Sequence, residues 1–369
     1  MKKLSFLLVF LFCISNLSIK AEAISVSAYS AVVIEADSGR VIFEKNSDER
    51  MPMASTTKIM TALLCLEEGN IHSEFTVNPD AIMVEGTSMG LQKGDKVTLY
   101  TLAAGMLLAS GNDAANATAV KIAGSIPEFA IMMNKRAQSI GMKNTNFVTP
   151  SGLDDKNHYS TALDMARLAR VALLNPDFLG LCSQKNMSLS YGNPPYVRWL
   201  SNHNKLLKTY DGCIGVKTGF TKKSGRCLVS AAERDGVRLI CVTLKAPNDW
   251  DDHQKLLDYG FANVKKVKLP VPSLSFEVKN GVASDILGVI KETPFATITE
   301  DDLKNIEVRV TDYSLDAPVF EGDYVGKVYY CLNGEIIKKA SVQAQNTVLR
   351  KENPPTLWDR IRKFFERTF

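Results

Sequence analysis

The chain predicts an α+β fold: an antiparallel sheet with an inserted helical cluster, followed by a small all-β domain. Three observations carry this expectation. β-rich runs around hairpin turns lie near both ends of residues 24–264. Long runs rich in Ala, Leu and Met fill the interval between them. Beyond residue 264 the pattern turns to short alternating runs with no helix-length period. Strands from both ends of a segment that share one sheet, with helices between them, make an α+β layer arrangement.

Residues 1–23 stand outside this fold as a signal peptide. Lys2-Lys3 supply a positive start, Leu4 to Leu17 a mostly apolar run, and Ala21-Glu22-Ala23 a small-x-small cleavage site. Ser15, Asn16, Ser18 and Lys20 leave the run short of the about 20 apolar residues an uncleaved span needs. Phe12 stands where a lipoprotein site before Cys13 would want a small residue. An exported protein is expected.

Ala31–Ala36 and Val41–Lys45 flank Asp37-Ser38-Gly39 as a first hairpin. A loop leads to Ser55, which opens a buried helix through Ile59–Leu66. Residues 69–100 read as loops and short elements. Leu102–Ala123 reads as two helices broken at Ser110-Gly111-Asn112-Asp113. Ser125-Ile126-Pro127-Glu128 is a capping box with proline in the first turn, opening a helix that stops near Gly141. Thr161–Leu174 is an amphipathic helix expected to stop before Asn175-Pro176. Val216–Gly219 is a candidate strand. Cys227–Ala232 and Val237–Leu244 form a second hairpin around Asp235-Gly236, and Asp251–Asn263 is a closing helix.

Lys265-Lys266-Val267-Lys268, Pro270 and Pro272 mark a boundary. Residues 265–350 then form a sandwich or barrel built on Ser275–Val278, Ala283–Ile290, Ile306–Val310, Val325–Tyr330 and Ile336–Val342. Nothing in it reads as catalytic; a scaffold or spacer is expected. In residues 354–369, Leu357, Trp358, Ile361, Phe364, Phe365 and Phe369 share a helical face, with Arg360, Arg362, Lys363 and Arg367 mainly opposite. An aromatic, basic amphipathic tail suits the plane of a membrane surface, and docking on its own β-domain is the alternative.

Composition is that of a globular protein, with 45% hydrophobic and 23% charged residues in 369. A net charge of +4 and the lack of a basic stripe with interleaved aromatics argue against a nucleic-acid partner. Six cysteines follow residue 23. A two-residue turn at Asp235-Gly236 sets Arg234 opposite Val237 and Cys227 opposite Leu244, so Cys241 points to the other sheet face from Cys227. Mostly free, buried thiols are expected. His72, His158, His203 and His253 lack metal-ligand spacing, and no G-x-S-x-G elbow or Gly-rich phosphate loop occurs. No metal and no cofactor is expected.

Ser55-x-x-Lys58 places a hydroxyl and an amine on one helix face. Alone, it reads first as a capping serine and a solvated lysine; Asn112 alone reads as a cap, and Lys217 as a solvated strand lysine. Together the chain's S-x-x-K, its single S-x-N at Ser110-Gly111-Asn112 and its single K-T-G at Lys217-Thr218-Gly219 fit one site. About 50 residues separate the first from the second, and about 105 the second from the third. A serine nucleophile needs a base within hydrogen-bond reach, and Lys58 serves if burial and a neighbouring cation, Lys217, lower its pKa.

On these motifs, and on Tyr159-Ser160-Thr161-Ala162, Pro150-Ser151-Gly152-Leu153 and Gly215–Thr221, the chain resembles low-molecular-mass penicillin-binding proteins, serine-type D-Ala-D-Ala carboxypeptidases. The resemblance spans nearly the whole length. It implies a β-lactamase/transpeptidase-like catalytic domain over residues 24–264. It implies peptidoglycan stem peptides ending in D-Ala-D-Ala as substrates and β-lactams as covalent inhibitors. It implies that Ser55 forms the acyl-enzyme, that Ser110 relays a proton to the leaving amine, and that Asn112 bonds Lys58 and the substrate amide. Lys217 and Thr218 would meet the terminal carboxylate. The N–H groups of Ser55 and Phe220 would form the oxyanion hole, with Gly219 allowing close approach.

One departure stands out. Many relatives carry an arginine just after the second hairpin strand, where this chain has Leu244-Lys245-Ala246-Pro247. Carboxylate binding is therefore expected to lean on Lys217 or Lys245. A class A-like β-lactamase is the alternative enzyme, but residues 147–154 hold no glutamate for fast deacylation. A non-catalytic wall-binding module is the other alternative, and the intact motifs argue against it.

Overall fold

The computed structural model describes residues 24–299, 301–311, 314–352 and 358. The expected signal peptide lies outside the described residues, as does the tail apart from Trp358. The first hairpin is β1 (Ser30–Glu35) and β2 (Val41–Lys45). A 3-10 turn, Ala54–Thr57, runs directly into α1 (Lys58–Glu67). Two short strands, β3 (Phe75–Thr76) and β4 (Lys96–Val97), precede α2 (Leu99–Leu107) and α3 (Asn112–Ala123). These helices break at Ser110-Gly111, as the polar run predicts. The N-cap half of the expected capping box is present: the Glu128 amide donates to Ser125 Oγ at the start of α4 (Ile126–Ser139).

After α5 (Ala162–Ala172), Asn175-Pro176 does more than end a helix. The Asn175 side chain accepts from two amides and starts α6 (Pro176–Cys182), because proline at the first helical position lacks only an N–H the helix would leave unpaired. A hairpin that the sequence expectation lacked follows, β5 (Asn186–Gly192) and β6 (Pro195–Ser201), and then a single turn, α7 (Leu206–Thr209). β7 (Cys213–Thr221), β8 (Gly225–Arg234), β9 (Val237–Leu244) and α8 (Asp249–Asn263) close this region.

The five-stranded sheet has the order β2-β1-β9-β8-β7, so strands from both chain ends meet at β1 and β9. β1, β8 and β9 are covered on both faces. Val32, Ile34, Val229, Ile240 and Val242 pack on the helical cluster, while Ala31, Val33, Leu228 and Leu239 pack on the α8 side. The alternation places Cys227 in the first core and Cys241 in the second. Arg234 does face Val237, and all six described cysteines are free. α1 is buried from Lys58 through Leu66, which makes it the central helix of the cluster.

The remaining strands are β10 (Lys265–Lys268), β11 (Ser275–Lys279), β12 (Asp285–Val289), β13 (Phe295–Ile298), β14 (Ile306–Val310), β15 (Leu315–Asp316), β16 (Tyr324–Leu332) and β17 (Glu335–Ala344). Six of them form a sheet in the order β14-β16-β17-β12-β11-β15, and β10 pairs with β13. They enclose a separate core that includes Phe276, Ile286, Val328 and Tyr330. The Lys265–Lys268 run, read as a boundary, is itself a strand. Arg40 of the first hairpin pairs with Asp302, tying the two regions together.

Candidate active site

The three motifs converge because β7 is the edge strand beside the 3-10 turn that carries Ser55. Gly219 makes that approach possible. A Cβ there would lie 3.0 Å from the amide nitrogens of Ser55 and Thr56. The residues at the turns into the site are held in left-handed backbone: Ala54 has φ of 48° and Ser110 has φ of 59°. Such conformations are costly for residues with a Cβ and cluster where geometry serves chemistry.

Lys58 is fully buried, and its amine has three partners. Nζ lies 2.9 Å from Ser55 Oγ and donates to Asn112 Oδ1 and to the Ser151 carbonyl, each at 2.7 Å. The Asn112 amide is oriented by its other end, whose Nδ2 donates to the Glu85 carbonyl at 2.6 Å. Two of the three partners are therefore acceptors only. In the neutral amine both N–H bonds are used on them, and the lone pair is left for the serine hydroxyl. Burial, then the nearby Lys217 cation, hold the Lys58 pKa well below the ordinary lysine value. Lys217, 1% exposed, is brought down to about 7 by burial alone. Its amine donates to the Thr218 carbonyl at 2.9 Å.

Ser55, Ser110, Asn112, Thr218, Gly219 and Phe220 line a single cleft of about 470 Å³. Every sequence-predicted site residue thus lies in the cleft wall or, for Lys58 and Lys217, buried next to it. Lys245 is not part of the wall; its amine sits 5.7 Å from the Tyr29 ring centroid. The expectation that Lys245 serves the carboxylate is therefore corrected: the strand end turns its side chain elsewhere. Arg226, Asp249 and Trp250 line the cleft instead, and no sequence motif marked them.

Ser151, Gly152 and Leu153 also line the cleft, and the segment that carries them, residues 148–153, is bolted to α1 and the turn before it. Thr61 Oγ1 donates to the Pro150 carbonyl at 2.6 Å. His158 joins both sides: Nδ1 accepts from the Val148 and Thr149 amides, and Nε2 lies 2.8 Å from Thr57 Oγ1. An Nδ1 that accepts backbone N–H bonds is unprotonated, so Nε2 carries the hydrogen and donates to Thr57. Burial lowers the His158 pKa to about 4, in keeping with that neutral ring. His203, also in the wall, is lowered by burial and by Lys217.

Asp113 holds the loop that follows two further lining residues, Gly86 and Thr87. Its carboxylate accepts from the Met89, Gly90 and Leu91 amides and from Ser88 Oγ. Among the described residues no group of acids, histidines and cysteines is arranged to hold a metal.

The chain matches the family described as D-alanyl-D-alanine carboxypeptidase over residues 17–248, and the penicillin-binding protein 5 C-terminal domain over residues 272–350. It is 33% identical to the D-alanyl-D-alanine carboxypeptidase DacF of Bacillus subtilis, over 86% of this chain and 85% of the relative. It is 32% identical to DacC of Escherichia coli, over 94% and 91%. Among solved structures, penicillin binding protein 5 from Haemophilus influenzae aligns with a TM-score of 0.70 at 32% identity, covering 89% of this chain and 99% of that one. The Streptomyces K15 DD-transpeptidase aligns at 0.62 and 31%, covering 64% and 98%.

Proposed function

This chain belongs to the D-alanyl-D-alanine carboxypeptidase family and is a serine-type carboxypeptidase of that kind; we propose that it works through an acyl-enzyme on Ser55. The observation that carries this reading is the coordination of the Lys58 amine, which leaves one lone pair directed at the Ser55 hydroxyl. The hydroxyl proton passes to Lys58 as Ser55 Oγ bonds to the carbonyl carbon between the two terminal D-alanines. The oxyanion sits against the N–H groups of Ser55 and Phe220. The carbon–nitrogen bond then breaks, and the proton held by Lys58 returns to the departing amine through Ser110. Water hydrolyses the ester and frees Ser55. Asn112 holds Lys58 and the substrate amide, Lys217 and Thr218 meet the terminal carboxylate, and Gly219 gives the substrate room beside β7.

β-Lactams acylate the same serine, and their adducts are released slowly. Supporting this, no glutamate is among the described residues that line the cleft. The test combines intact-mass labelling by penicillin with release of D-alanine from a pentapeptide ending in D-Ala-D-Ala. No release by the wild type, or undiminished release by Ser55→Ala, would sink the mechanism. Rapid turnover of a chromogenic β-lactam would favour the β-lactamase alternative.

The same reading divides the chain into a signal peptide (1–23), a catalytic domain (24–264), a β-rich domain (265–350) and a membrane-associating tail (354–369). It places the enzyme outside the cytoplasmic membrane and peripherally attached to it. Among the described residues no helix is long and apolar enough to cross a membrane. Truncation after Pro355 is expected to move the protein into the soluble fraction; continued membrane binding would locate the anchor elsewhere.

A further inference from the structure

We propose that Arg226, braced by Asp249 and Trp250, is the cleft's main ligand for the substrate's terminal carboxylate. A carboxypeptidase must recognise a free chain end, and the described cleft offers few cations for it. Lys217 is buried, and burial leaves it only partly protonated at neutral pH. Lys205 lines the cleft but is exposed and carries no ion pair among the described residues. Arg226 is different in three respects.

First, its place is fixed by register. Arg226 is the β-partner of Phe220, so its side chain leaves the sheet on the same face as Phe220, two pairs along from Thr218 and Leu228 and therefore on their face as well. Second, it is braced. Nε donates to Asp249 Oδ1 at 2.8 Å, and the guanidinium carbon lies 5.4 Å from the Trp250 ring centroid. Asp249 is 2% exposed and accepts no other side-chain donor among the described residues. Third, its remaining capacity faces the cleft. Among the described residues the two terminal nitrogens have no protein acceptor, the side chain is 40% exposed, and all three residues line the same cleft as Ser55 and Thr218. A guanidinium held by Nε presents its outer nitrogens as a pair, which matches a carboxylate and keeps its charge at any working pH.

The proposal rests on the carboxypeptidase reading above. Its test measures kcat and KM for an acyl-D-Ala-D-Ala peptide as the free acid and as its C-terminal methyl ester, using the full chain. Arg226→Gln is expected to lose about 10- to 100-fold in kcat/KM on the free acid, mostly through KM, so that the acid-to-ester preference collapses. Arg226→Lys is expected to recover part of that preference. The double variant Arg226→Gln/Asp249→Asn, which leaves no buried carboxylate unpaired, is expected to show the same collapse. Equal losses on acid and ester, an unchanged preference, or a collapse produced by Lys205→Gln in its place would each overturn the proposal. A wild type that releases no D-alanine from the free acid would remove the carboxypeptidase premise and this proposal with it; an active wild type with an unaltered Arg226→Gln preference would overturn this proposal alone.

Discussion

Gly152→Ala is expected to disable the enzyme while leaving it folded, because this glycine lets the 148–153 wall lie flat against the turn carrying Ser55. Gly152 has φ of +85°, and a Cβ there would lie 1.9 Å from the Ala54 carbonyl oxygen and 2.8 Å from Thr57 Oγ1. Ordinary contact begins near 3.4 Å, so the loop and the turn must part by about 1.5 Å. The Lys58 to Ser151 carbonyl bond, now 2.7 Å, cannot survive that displacement. The left-handed backbone adds about 1–2 kcal/mol, and the unpaired buried donor and acceptor add about 1–3 kcal/mol. Misplacing a catalytic group by about an ångström costs on the order of 100-fold in rate.

The assay is the rate of penicillin acylation by intact mass, paired with thermal unfolding. Gly141→Ala is the control: its φ is +80°, but a Cβ would meet nothing within 4 Å. It should show the backbone penalty alone, with acylation unchanged. If Gly152→Ala acylates within threefold of wild type while remaining folded, the argument that Ser151 must hold Lys58 is refuted.

Lys217→Met should raise stability and abolish efficient D-alanine release. Folded Lys217 has a pKa of about 7 against 10.5 for the free side chain, so between those values the unfolded state binds the extra proton and stability rises with pH. Near pH 8 the substitution should add about 3 kcal/mol, read as a higher Tm that approaches wild type towards pH 10; a lower Tm at pH 8 would contradict it. Two buried histidines act at the acid end. His158 and His253 are lowered from 6.5 to about 4 and about 3, so each removes about 1.4 kcal/mol per pH unit as pH falls from about 6.5 towards its folded pKa. A Tm profile of His158→Gln that falls as steeply as wild type between pH 6.5 and 4 would rule this out for that site. Finally, alkylation of the mature protein without reductant should label all six cysteines once it is unfolded, and fewer labels would reveal a bridge.

Much of the site was legible because its parts obey local rules. Ser55 and Lys58 share a face because a helical turn brings residues three apart together. Ser110-Gly111-Asn112 falls where polar residues interrupt two apolar helices, and Lys217-Thr218-Gly219 continues a strand. The second hairpin's register followed from its two-residue turn, which also argued against a Cys227–Cys241 bridge unless a bulge intervened. The misses have equally local causes. Asn175-Pro176 serves as a stop signal and a start signal alike; β5 differs, because Met187-Ser188-Leu189-Ser190-Tyr191 does alternate as a strand should and was legible in the sequence.

The sequence by itself determined the kind of chemistry and pointed to the proposed nucleophile and its amine partner, since these are side chains whose types and spacing are written in the chain. Tertiary structure alone decided the rest. The third ligand of Lys58 is a backbone carbonyl 93 residues away, and a carbonyl has no residue type to read. The low pKa values of Lys58 and Lys217 come from burial, a property of the packed core rather than of either residue. Arg226 rather than Lys245 faces the cleft because strand register and the start of α8 set where each side chain points. What began as a serine and a lysine on one helix face becomes a base only where packing removes water from the amine and leaves it one free direction.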